Sequence, residues 1–346
     1  MFQSRTVVVV GAGASFEVGL PIGARLKEEI SKLTSFTFEF GNLKYGDGDF
    51  YNEIRRLPEF AKEGNRAIAA CRKISNGIGF VSSIDSFLEV HSLDPDIQAC
   101  AKAAIAKIVT DQERRSRLYV DPSNIYNSLK PANIQETWFV ELAHMLFEKV
   151  DSGQLRKAFE PVTFVSFNYD RCVEWFVFNA LKGLYFLDDR QAQDVLHSMQ
   201  VLHPYGDIGA PSWLRGSGGV PFGGEVRGRL GELAKGIRTF TEKMAVSDTV
   251  DQVRKAIADA RTVVFLGFAF HPQNMELLVP GGTISGVQQV YGTAVGMSER
   301  DRKATEEYLN RSFTRPSGKV RGPTVQLVDL ECSEFMRQFK RTLAVQ

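Results

Sequence analysis

The chain has 346 residues, 43% of them hydrophobic and 24% charged, with 25 Phe. At roughly 100–200 residues per domain, that is two domains or one large domain with an insertion. The composition excludes a disordered or fibrous chain. Forty-two basic against forty-one acidic side chains leave a formal charge of +1, which gives no global pull toward nucleic acid or an anionic membrane.

No run of about eighteen apolar residues occurs, so no membrane span is expected. Met1–Phe2–Gln3–Ser4–Arg5 leads straight into an apolar strand rather than a signal peptide, and a soluble, cytoplasmic protein is the expectation. Cys71, Cys100, Cys172 and Cys332 lie far apart with no CxxC pair. Neither a structural zinc site nor a disulfide framework is expected from them.

Thr6–Val10 is a β-branched apolar run, the pattern of a strand buried on both faces of a parallel sheet. It ends in Gly11-Ala12-Gly13-Ala14-Ser15, and Ile22 to Leu33 then reads as an amphipathic helix with Ile22, Leu26, Ile30 and Leu33 on one stripe. From 34 to 160 strand-like runs are scarce. Helical spacing recurs over Ile84–Val90, Ile97–Val109 and Thr137–Val150, which predicts a large, mostly helical insertion.

The α/β pattern resumes with a strand at Val162–Phe167, an apolar helix at Cys172–Leu181, and Val201-Leu202 running into His203-Pro204-Tyr205-Gly206-Asp207. Pro211 to Gly231 is glycine-rich and reads as loop, either a lid or an inert surface segment. Thr249–Ala260 is helical, Thr262–Phe265 and Gln288–Ala294 are strands, and Glu299–Leu309 is a helix. Thr324–Leu330 is the last strand, with a short helix after it. Strands alternating with helices predict an α/β fold, a Rossmann-like parallel sheet with helices on both faces.

An open parallel sheet binds ligands beyond the carboxyl ends of its strands, where strand order reverses. The unusual polar clusters all fall at such ends. Gly11-Ala12-Gly13-Ala14-Ser15 suits either a phosphate approaching the backbone or a plain structural turn. Position 16 is Phe where a third glycine of GxGxxG would stand, and no P-loop lysine follows. Gly19-Leu20-Pro21-Ile22-Gly23 adds a second turn that would wall a pocket.

In Phe167-Asn168-Tyr169-Asp170, Asn168 offers an amide donor and an acceptor, while Asp170 either joins the chemistry or caps the following helix. His203, one of five histidines, sits at a strand end beside Gly206 and Asp207 and has the chemistry of a general base. His144, His91 and His197 fall in helical stretches and carry less signal. Gly267-Phe268-Ala269-Phe270 again permits close backbone approach, with Gln273 or Asn274 expected to cap the helix through Leu278. No histidine pair has metal-ligand spacing, so no metal is expected. No GxSxG elbow is present either.

Taken in order, these clusters resemble the sirtuin superfamily in its prokaryotic branch of NAD-consuming defence proteins. Gly11, Ala12, Gly13 and Ser15 with Pro21 resemble the first NAD-binding loop, and Asn168 with Asp170 the Asn-x-Asp motif. His203 falls where the family carries its catalytic histidine, and Gly267 with Phe268 resembles the later loop on the NAD ribose and phosphates. Ser83-Ile84-Asp85-Ser86-Phe87-Leu88-Glu89 is similar to a helix common in this branch.

The chain departs from the deacylases in three ways: it lacks a four-cysteine zinc module, Pro204 and Tyr205 stand after the histidine in place of glycine, and the insertion is not the deacylase small domain. The resemblance therefore implies an NAD hydrolase, with NAD as substrate, no metal, and Asn168 and His203 catalytic. Residues 1–33 and 161–346 would form the NAD-binding domain, with 34–160 as an assembly surface or a cap over the site. It further implies an anti-phage abortive-infection effector that is gated by homo-oligomerisation or by a partner. A HerA-type ATPase is the favoured partner and a short Argonaute the lesser one. The rival expectations are a deacylase or ADP-ribosyltransferase, which needs an acceptor groove beside His203, and a silent NAD or ADP-ribose scaffold.

Overall fold

A computed structural model describes residues 1–124, 126–209, 219–239, 242, 248–279, 286–314 and 322–344. Of the expected glycine-rich loop, residues 211–218 lie outside the described residues. The chain opens with β1 (Thr6–Val10), α1 (Ala12–Phe16) and α2 (Gly23–Leu33). The segment that follows holds β2 (Thr37–Glu39), β3 (Asn42–Tyr45), α3 (Gly48–Arg55), α4 (Gly64–Gly77), α5 (Ile84–Val90), α6 (Pro95–Arg115) and α7 (Trp138–Phe147). Then come β4 (Val162–Ser166), α8 (Cys172–Tyr185), α9 (Asp189–Leu196), β5 (Gln200–Leu202), α10 (Leu230–Ala234) and α11 (Asp248–Asp259). The last elements are β6 (Thr262–Leu266), α12 (Pro272–Leu278), β7 (Gln289–Thr293), α13 (Glu299–Ser312), β8 (Thr324–Val328) and α14 (Cys332–Leu343).

Six strands form one sheet in the order β5-β4-β1-β6-β7-β8, each neighbour parallel. Counted within that sheet alone the order is 3-2-1-4-5-6, so the direction of winding reverses between β1 and β6. Side chains of a strand alternate between faces. Val8 and Val10 point with Phe164, Val264 and Leu266 into a cluster covered by α7, α8, α9 and α14. Val7 and Val9 point with Val165, Val263 and Phe265 into a second cluster under α11, α12 and α13. Covered on both faces, these strands need the continuous apolar runs that the sequence supplies.

The insertion divides in two. Helices α3 to α6 build a third cluster around Phe50, Ile74, Phe87 and Ile105, which also takes in Tyr169 and Tyr205 from the loops of the sheet and Leu233 from α10. Helix α7 instead packs with α8 and α14 on the sheet itself. The β2–β3 hairpin is absent from the mostly helical expectation. Its strands are three and four residues long, too short to establish an alternation, and its turn puts Phe40 and Gly41 at positive φ. Helix α6 starts two residues before the periodicity does, because Asp94 caps it through the Asp96 and Ile97 amides and Pro95 takes the first helical position.

Two carboxylates tie these layers together. Glu17, just after α1, accepts the amides of Trp138 and Ser333, each at 2.8 Å, and so satisfies the first turns of α7 and α14 at once. Glu113 on α6 and Arg171 before α8 form a pair with no solvent exposure. Arg171 Nε donates to Glu113 Oε1 at 3.0 Å, Nη2 donates to Oε2, and Nη1 donates to the Val220 carbonyl at 2.7 Å. Glu113 Oε2 also accepts the Gly223 amide at 2.9 Å. Burial works against the Arg171 charge, but Glu113, with Asp207 and Glu174 adding, holds the guanidinium pKa above its ordinary value.

Such a pair is tolerated because its donors and acceptors are matched, and removing one partner leaves a buried charge alone. Glu113→Ala is therefore expected to cost about 3–5 kcal/mol in urea denaturation. Lys255→Ala, which breaks the exposed Lys255–Asp259 pair, should leave the midpoint nearly unmoved. A small effect of Glu113→Ala would show that α6 does not hold the sheet loops.

Candidate functional site

The turns after β1 and β6 meet where the sheet reverses. Gly11 N–H donates to the Leu266 carbonyl and Gly13 N–H to the Gly267 carbonyl, both at 2.9 Å. Gly267 has φ +58, and a Cβ there would stand 2.1 Å from the Ala14 nitrogen; one on Gly11 would stand 2.5 Å from the Gly267 oxygen. No side chain fits between these backbones. The Gly-x-Gly spacing thus has a complete account in loop–loop packing, and the Gly13 amide is committed to protein. Ala12, Gly13, Pro21 and Gly267 are half-buried, while Gly11 and Ser15 are buried.

The loop after β4 adds the next residues. Asn168 Nδ2 donates to the Gly11 carbonyl at 3.1 Å and to Ser15 Oγ at 2.9 Å, so the amide side chain ties its loop to the glycine turn. Asp170 Oδ1 accepts the Cys172 amide at 3.1 Å, a local turn bond just outside the helix, whose N-cap is Arg171 without a side-chain bond. Burial pushes the Asp170 carboxyl above the usual carboxylate range, with hydrogen bonds from Cys172 and Ser15 pulling the other way. The expected cap on α12 is not there: His271 occupies the N-cap without a side-chain bond, Pro272 follows, and Asn274 Oδ1 instead accepts from Tyr205 Oη at 2.8 Å. With Pro272 in the first helical position there is one amide fewer to cap, and Asn274 lies inside the helix rather than before it.

His203 follows β5 and reaches the same corner. Its Nδ1 lies 3.2 Å from the Asn168 carbonyl and its Nε2 lies 2.7 Å from Glu174 Oε1. Both partners are acceptors, so both ring nitrogens donate and the ring is an imidazolium. Burial works to lower its pKa, but the charge and hydrogen bond of Glu174, with Asp207 and the Asn168 carbonyl adding, push it up to about 9. Asp207 Oδ1 turns back to the Gly209 amide at 2.7 Å. Of the other histidines, His91 and His197 end α5 and α9, and His144 is exposed beside Glu141.

Aromatic rings wall the corner: Phe167 packs edge-on against Phe268, with centroids 5.0 Å apart, and against Tyr205 at 5.8 Å. Tyr169 Oη donates to Asp85 at 2.6 Å, which brings the α5 segment of the insertion onto this loop. A cavity of about 430 Å³ opens beside His203, lined by His203, Asp207, Lys235, Arg238 and Thr249. Another of about 450 Å³, by Arg5, Thr163 and Lys255, lies at the amino ends of β1 and β4, the end of such sheets that does not hold ligands.

Among the described residues no cluster of three His, Cys, Asp or Glu side chains is disposed to hold a metal. The four cysteines are buried and free. No described helix is long and apolar enough to cross a membrane.

The fold thus brings Gly11, Ser15, Asn168, Asp170, His203, Gly267 and Phe268 to one corner, with Ala12 and Gly13 in its glycine turn. Pro21 lies in the second turn, five residues beyond α1. Sequence reasoning missed Glu174, Glu113 and Arg171. Only Glu174 had a signal, as the one charged residue in the apolar run Cys172–Leu181. A scan against family models finds no match, and no curated protein matches the chain.

The His203 pair makes stability depend on pH. The imidazole titrates at an ordinary 6.5 when unfolded and at about 9 when folded, so the folded state binds the proton more tightly between those values. Its contribution is full below pH 6.5 and is lost as pH rises to about 9. The urea midpoint of the protein should fall across that window, and His203→Gln should flatten the fall. An equally steep fall in the variant would contradict the assignment.

Proposed function

We propose that the protein is an NAD hydrolase of the sirtuin-like type, cleaving NAD to nicotinamide and ADP-ribose at the reversal point of the sheet. One observation carries the reading: the glycine turn, Asn168 and His203, far apart in sequence, are joined by consecutive hydrogen bonds at the strand ends. That is the location at which doubly wound sheets bind dinucleotides. Cleavage of the N-glycosidic bond develops positive charge on the ribose while nicotinamide leaves. In this reading Asn168 orients the attacking water or a ribose hydroxyl, and His203 accepts its proton.

The resting site is not ready for that step, because the His203 ring already carries both protons. Gating by assembly or by a partner is part of the proposal, and the defence role with a HerA-type ATPase is the partner reading that goes with it. Transfer to an acceptor is the second reading. The cavity beside His203 favours it, since an acyl-lysine or other nucleophile needs such a space.

The test is NAD loss and nicotinamide release by the purified protein, alone and with the product of the neighbouring gene. Cleavage by the native protein should fall by about 10²-fold or more in Asn168→Ala and in His203→Ala. Full activity in both variants would overturn the proposal. Label from NAD appearing on an added peptide or on the protein would favour the acceptor reading.

A further inference from the structure

Glu174 is the charged residue at this corner with no role yet. It stands on α8 and is almost fully buried, with one carboxylate oxygen on His203 Nε2 and the other, Oε2, buried without a hydrogen-bond partner. A buried carboxylate oxygen without a partner calls for an explanation. The charged groups around the imidazole come from every side. Glu174 approaches from α8 and Asp207 from the loop of His203 itself. Behind Glu174 stand Asp170 and the Arg171–Glu113 pair. Glu232, Lys235 and Arg238 line the cavity on the open side.

We propose that Glu174 is the positioning residue of the site, holding the His203 ring by Nε2 so that Nδ1 is the nitrogen presented to the substrate. The assignment rests on the NAD-cleavage reading and deepens it. With Nε2–H fixed on the carboxylate, the neutral ring has its lone pair on Nδ1, which faces the Asn168 carbonyl oxygen at 3.2 Å, so the working form requires that contact to part before Nδ1 can meet the substrate. The resting ring carries a proton at Nδ1, bonded to the Asn168 carbonyl, and its release gives the working form.

In the reaction the water oxygen bonds to the ribose carbon and the glycosidic electron pair leaves with nicotinamide. The water proton goes to Nδ1, and Glu174 balances the imidazolium that results. The carboxylate thus makes the ring a stronger base and makes its proton harder to release, so both effects should be visible in the pH profile.

Glu174→Gln keeps the size and an acceptor oxygen but removes the charge. The native protein should show NAD cleavage rising with pH through about 9, the value of the paired ring. In Glu174→Gln that rise should move toward 6.5, the ordinary histidine value. At pH well above both, the variant should be slower by about 10²-fold. In nitrogen NMR of labelled histidines, with His203→Gln to assign the signal, both ring nitrogens should be protonated near neutral pH in the native protein and only one in Glu174→Gln.

A native pH profile and rate in Glu174→Gln would overturn the proposal. Native protein that cleaves no NAD under any condition would fail the functional reading instead; the NMR then decides on Glu174, and ring signals unmoved by the substitution reject it. Should Glu174→Gln not fold, Glu174→Asp withdraws the carboxylate from Nε2 and gives the same distinction.

Discussion

Glu113 and Arg171 are fully buried, and much of the architecture consists of what they need. Desolvating each ion costs several kcal/mol, and the pair survives because its hydrogen bonds are met by three separate segments. One is α6 of the insertion, one is the loop between β4 and α8, and one is the chain at Val220–Gly223. The loop that carries Asn168 and Asp170 is therefore fixed from behind by the insertion. Tyr169 reinforces the link by reaching Asp85 on α5. The insertion acts as a backing for the strand-end loop, whatever else binds to its outer surface.

The same arrangement concentrates charge. Glu174, Asp207 and Glu113 lie around two cations, Arg171 and His203, and Glu174 with Asp207 is what holds the imidazole protonated. A cation beside a ribose that develops positive charge opposes the reaction, so the resting electrostatics and the proposed chemistry pull in opposite directions. Their reconciliation is the loss of one proton from Nδ1. A site that must lose a proton, or have its Asn168 contact loosened, can be regulated by small displacements of the loops around it.

The strands were legible because a sheet buried on both faces demands uninterrupted apolar runs, and β1, β4 and β6 supply them. The glycine turns were legible as turns. The sequence could not reveal that Gly11, Gly13 and Gly267 make room for one another, since the requirement is a contact across more than half of the chain. The same limit hid Glu113 with Arg171, which are 58 positions apart, and Asn274, whose partner Tyr205 lies 69 positions away. Asp170 stands one residue before the N-cap Arg171, and its bond to the Cys172 amide is a local turn contact. The β2–β3 hairpin escaped for the opposite reason: its strands are too short for any periodicity. Asn168 and His203 were picked out by their strand-end positions, yet the hydrogen bonds that engage them became visible only once three loops were assembled.

The central claim is that a dinucleotide lies across the reversal point between β1 and β6. A crystal structure of the protein with ADP-ribose, the expected product, tests it most directly. The account predicts the pyrophosphate over Gly11–Ser15 and the terminal ribose between Asn168 and His203. ADP-ribose bound in the cavity by Lys235 and Arg238, with the glycine turns and Asn168 untouched, would contradict it.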